Sequence, residues 1–137
     1  MTVASRKRYS YRRAVGKKTE IRWLAEPEEH DYPDAESFLS LIYDGTAAAK
    51  LVERLRRAPV TMFKAKDIFR ASGLPLLGIS NAHMKRDQAK IEEGRKLSPL
   101  LLVRDEARGR VVIADGYHRM CAVYTFDEEA DIPCKIV

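Results

Sequence analysis

The last quarter of the chain allows few folds. Two short, β-branched-rich apolar runs, residues 100–103 and 110–114, enclose a segment, 105–109, whose charges and glycine suit a hairpin loop. The second run leads into Asp115 and Gly116, after which Met120, Val123, Tyr124 and Phe126 recur at helical spacing. Residues 132–137 read as a closing strand. Strand, hairpin, strand, tight turn, helix and strand in so short a stretch point to an α/β (α+β) chain with a small sheet and packed helices. They also set His118 and Arg119 at the start of a helix.

A helix start is a natural anion site. Its first-turn amides have no intrahelical acceptors, and the helix dipole is positive there. Gly116 can adopt a positive φ and carries no Cβ to hold a ligand away. Arg119 offers a planar fork of donors, and His118 one more from the side. Tyr117 stands in the turn itself, where it can cover a base, donate a hydrogen bond or fill the pocket. Asp115 has the wrong charge for an anion, but it suits either an N-cap or a ligand to a metal.

The Asp115, Gly116, Tyr117, His118, Arg119 turn, with Ala122 in the helix and 132–137 as the last strand, resembles the signature of the ParB/sulfiredoxin superfamily. The corresponding turn reads Gly-Cys-His-Arg in sulfiredoxins and Gly-Glu-Arg-Arg in ParB-type proteins. Residues 96–103 resemble the segment that leads from a helix into the strand before the motif. The resemblance covers roughly 63–137. It implies a core domain over 60–137 with a small mixed sheet, and a nucleotide (ATP, ADP or CTP, with magnesium) or another phosphorylated ligand at Gly116, His118 and Arg119. Sulfinic-acid reduction is not implied, because Tyr117 replaces the cysteine that it requires. Cys121, four residues on, is expected in the core.

Further candidates lie upstream. Asn81 caps an expected helix over 82–93 that Gly94 stops, and His83, Arg86 or Asp87, and Lys90 share one of its faces, with Met84 and Ile91 turned inward. In sulfiredoxin relatives the matching face contacts nucleotide, which adds His83 and Lys90 to the set. Lys96 and Ser98, just before the strand, can offer a cation and a hydroxyl. The resemblance also makes Arg70 a neighbour of the site. Glu92, Glu93 and Asp115 are the carboxylates at hand for phosphoryl chemistry, but no motif names one of them as a base. Turnover, hydrolytic or kinase-like, is left open.

Charge divides the chain. Residues 1–22 hold eight Lys/Arg against Glu20, a net +7, so the other 115 residues sum to −2. Arg6, Lys7, Arg8, Arg12 and Arg13 interleave with Tyr9 and Tyr11, and Lys17 and Lys18 follow, a pattern that suits a nucleic-acid-binding arm as well as a solvated tail. The alternative function is therefore a DNA-associated ParB-like module held by this arm. Residues 64–72 resemble the first half of a helix-turn-helix, but Pro75 and Gly78 follow where the reading helix would start.

Between arm and core, 23–59 reads as a helical extension: an acidic, proline-broken stretch over 23–33, a helix over 35–43 capped by Asp34 with Phe38, Leu39, Leu41 and Ile42 as its apolar face, and a helix over 46–57. At 45% hydrophobic residues the chain can bury a core without metals or disulfides, and both cysteines are expected reduced. With no apolar run near the ~18 residues of a membrane span, and no signal-peptide core, a cytoplasmic address is expected. Oligomeric state is not readable.

Overall fold

The computed structural model describes residues 20–77 and 81–137. The seven arm residues from Arg6 to Lys18 lie outside that range. The described chain runs β1 (Arg22–Trp23), α1 (Asp31–Leu39), α2 (Gly45–Arg57), β2 (Thr61–Lys64), α3 (Ala65–Ser72), α4 (Ala82–Glu92), β3 (Lys96–Leu97), β4 (Leu100–Asp105), β5 (Arg110–Asp115), α5 (Tyr117–Phe126) and β6 (Asp131–Ile136). It is an α+β fold. The main sheet is ordered β2-β6-β4-β5, with β4 parallel to β6 and the other pairs antiparallel; β1 and β3 form a separate parallel pair.

Helices cover both faces of the main sheet, and the strands alternate accordingly. Leu100, Leu102, Val111 and Ile113 join α3, α4 and α5 in one core, with Met84, Ile91 and Met120 at its centre. Leu101, Val103, Val112 and Ala114 join Tyr32, Ala35, Leu39, Val52 and Leu55 of α1 and α2 in the other. A strand buried on both faces has no polar side, which is why 100–103 and 111–114 are unbroken apolar runs, with the exposed Arg110 at the edge. Within the 23–59 segment α1 and α2 thus form one layer of a three-layer packing, while Trp23 packs against the other core. Cys121 and Cys134 are free and buried.

Two local expectations fail. The first helix begins at Asp31, not Ala35, and Pro33 lies inside it. Its first turn tolerates proline because the first amide to reach a helical acceptor is that of Asp34, which donates to the His30 carbonyl at 3.3 Å. Asp34 is therefore a helical residue and not the cap. The helix ends at Leu39, leaving Phe38, Leu41 and Ile42 exposed, with Leu41 at 84%. Of the four expected apolar contacts only Leu39 reaches the core. Asn81 caps α4 as expected, accepting from the His83 and Met84 amides, and α2 is capped by Asp44, which accepts from the Ala47 amide.

Candidate functional site

The turn after β5 is shaped by two backbone features. In the β4–β5 ladder Leu101 pairs with Asp115 and Leu102 with Ile113, so Ala114 is a bulged extra residue that bends the strand just before the turn. Gly116 follows at φ +108° and occupies the N-cap position of α5. A Cβ there would lie 2.8 Å from Leu100 Cγ and 2.9 Å from Arg119 Nη2, so the position admits only glycine. Asp115 is thus the last strand residue and not a cap, and α5 has no side-chain cap on its first-turn amides.

Arg119 closes the base of the turn. Its Nη2 donates to Asp115 Oδ2 at 3.0 Å and to the Pro99 carbonyl at 3.3 Å. Its Nε is buried without a partner among the described residues. Beside it, α4 and α5 pack together and leave a recess of about 250 Å³ lined by His83, Arg86, Asp87, Lys90, Asp115, Gly116, His118 and Arg119. The His83 and His118 rings lie 4.7 Å apart at 41°. Arg86 Nη2 hydrogen-bonds His83 Nδ1. A guanidinium only donates, so this Nδ1 is an acceptor and His83 carries its proton on Nε2.

The electrostatics are mixed. Three cations, Arg86, Lys90 and Arg119, face two carboxylates, Asp87 and Asp115, an excess of one positive charge while both histidines are neutral. Burial raises both carboxyl pKa values against the pull of Arg119; Asp115 reaches about 6, helped by the nearby charges of Asp31 and Asp34. Burial and the neighbouring His83 lower the His118 pKa. Asp115 can therefore exchange a proton within about a unit of neutral pH, while His118 is held toward its neutral form.

His83, Lys90, Gly116, His118 and Arg119 meet at this recess. The other expected residues stand elsewhere. Ser98 is buried and structural: its hydroxyl donates to Asp31 and accepts from the Glu28 amide at 3.1 Å. Lys96 lies on β3, exposed, outside the recess. Arg70 flanks a different depression with Lys66, Phe69 and Tyr124 and pairs with Asp67 at 3.7 Å. The Tyr117 hydroxyl donates to the Pro75 carbonyl, holding the ring beside the recess but not in its lining. Glu92 and Glu93 are exposed and outside it. Arg86 and Asp87, seen in sequence only as part of a helix face, line the recess.

No protein-family model matches the chain, and no curated protein or solved structure shows significant similarity to it. The site is therefore read from its own chemistry.

Among the described residues two groupings have donor spacing that a metal ion can use: Asp31, Asp34 and Asp115, and Glu28, His30 and Asp31, with ligand atoms within 4.8 Å of one another in each. Asp31 belongs to both and is already held by Ser98 and the Glu28 amide. A depression of about 860 Å³ between α1 and α2 carries Glu28, Glu29, Glu36 and Glu53, with Arg56 tied to Glu29 at 2.6 Å. Its charge disfavours phosphate. Among the described residues no helix is long and apolar enough to cross a membrane.

Proposed function

We propose that the chain binds a phosphate-bearing ligand, a nucleotide being the first to test, in the recess between α4 and α5, as a domain of ParB/sulfiredoxin type. The observation that carries this reading is the convergence of His83, Arg86 and Lys90 from one helix with His118 and Arg119 from another, at an uncapped helix start behind a left-handed glycine. Phosphate oxygens there meet first-turn amides, two imidazoles and cationic side chains. The strand, hairpin, strand, glycine turn, helix and strand order of 100–136 supports the family assignment. Arg119 contributes mainly by holding the floor of the site, since its Nη2 is engaged with Asp115 and Pro99.

Calorimetric titration with ATP, ADP and CTP, with and without magnesium, tests the reading. The variants are His118→Ala and Lys90→Ala, both on the rim and outside the two cores. A charge-assisted hydrogen bond to phosphate contributes about 1.5–3 kcal/mol, so either variant should weaken binding about ten- to a hundredfold. Absence of saturable binding by all three nucleotides would end the nucleotide reading.

A further inference from the structure

The same recess carries information about which part of a ligand it recognises. A site that reads a nucleobase offers an apolar or aromatic platform and edge-directed hydrogen bonds, in a pocket of about 300–1,000 Å³. This recess is smaller, about 250 Å³, and is lined by charged groups, imidazoles and Gly116, with no aliphatic or benzenoid side chain. The ring faces closest to a bound ligand would be those of His83 and His118, and at 4.7 Å they pack against each other. A base could stack between them only by parting them. Tyr117, the nearest larger ring, lies 5.6 Å from His118 with its hydroxyl bonded to Pro75.

Resting on the phosphate-site reading above, we infer that the recess recognises one or two phosphate groups alone and leaves the carrier, base or sugar, outside without discriminating it. The ligand class is then a compact phosphoester or diphosphate unit, read by Arg86, Lys90, His118 and the α5 amides. Nucleotides bind through their phosphates and differ little from inorganic pyrophosphate.

The test is a competition series on the full chain with inorganic phosphate, pyrophosphate, ribose 5-phosphate, ATP, GTP, CTP, UTP and adenosine, repeated on Lys90→Ala. The expected result is that pyrophosphate binds, the four triphosphates agree within about threefold, adenosine does not bind, and Lys90→Ala weakens all phosphate ligands by a common factor of about ten. Inorganic phosphate and ribose 5-phosphate distinguish a single-phosphate site from a diphosphate site. If one triphosphate binds about tenfold tighter than the rest, or triphosphates bind and pyrophosphate does not, base or sugar is being read; the inference fails and the phosphate-site reading stands. If no phosphate compound binds, or Lys90→Ala leaves binding unchanged, both fail.

Discussion

Asp115 and Arg119 hold each other across the glycine turn, Oδ2 to Nη2 at 3.0 Å, with both side chains more than four-fifths buried. The pair joins the end of β5 to the first turn of α5, and the Arg119 bond to the Pro99 carbonyl ties both to the start of β4. Removing Arg119 leaves a buried carboxylate facing Asp31 and Asp34 with its cation gone. Surface pairs contribute about 0–1 kcal/mol and breaking a fully buried pair costs about 3–5, so Arg119→Met should cost about 2–3 kcal/mol in urea unfolding. Adding Asp115→Asn should recover much of that loss; no recovery would show that the guanidinium matters through Pro99.

Gly116→Ala should be among the most damaging single changes in the chain. At φ +108° a Cβ is strained, and it would overlap Leu100, which is fully buried, and Arg119. Strain of about 1–3 kcal/mol and overpacking of about 1–3 kcal/mol act together. A fall in the unfolding midpoint smaller than that of an exposed control such as Gly45→Ala, where a Cβ meets nothing, would contradict it.

Ligand affinity should rise as pH falls. The Asp115 pKa is raised to about 6, so below that pH the recess loses a negative charge and Arg119 is released from its pair. Protonation of His118, whose pKa burial and the neighbouring His83 lower, adds a positive charge in the same direction. A ligand that required neutral Asp115 would lose up to about tenfold in affinity per pH unit above 6. The ratio of wild-type to Asp115→Asn affinity for pyrophosphate isolates this group from the ligand's own titration. A ratio that is flat between pH 5 and 8 would remove Asp115 from the site.

Stability should respond to the same group with a definite sign. A folded-state pKa raised from 3.8 to about 6 means that the native protein holds this proton more tightly than the unfolded chain, so Asp115 makes stability fall as pH rises from about 4 to 6 and then level off. Asp87, also raised, acts in the same direction, and His118, lowered, acts oppositely. Unfolding free energies measured from pH 4 to 7 should therefore decline less in Asp115→Asn than in wild type.

Lys135 gives a separate check on how the extension docks. It is 3% exposed, and its Nζ donates to the Arg56 carbonyl at the end of α2 at 2.8 Å and pairs with Glu26 at 3.2 Å. Lys135→Met leaves that carbonyl without its donor, at a cost of about 1–3 kcal/mol. Hydrogen exchange should show α2 opening first. Uniform loss of protection across the sheet would instead make Lys135 a core residue like any other.

The strands around 100–115, the Gly116 turn and α4 were readable because short-range rules decide them: glycines at turns, Asn81 as a cap, apolar residues repeating at strand or helix period. His83 and Lys90 could be grouped because spacing alone places them on one face of a helix. The start of α1 was misread because Pro33 and Asp34 are stop and cap signals that a first turn also tolerates, and its exposed Phe38, Leu41 and Ile42 look apolar whether or not anything covers them.

What the sequence by itself determined was the order of elements, the glycine that must precede α5, and the presence of His118 and Arg119 at a helix start. Each of these depends on residues within a turn or two of one another. Tertiary structure alone decided that Ser98 serves Asp31, sixty-seven positions away, that Arg119 is committed to Asp115 and Pro99, that Lys135 is buried under α2, and that Arg86 and Asp87 face His118. These roles arise where helices fold onto a sheet and exclude water: burial then sets which charges must be paired, and no local pattern encodes the distance at which a partner will arrive.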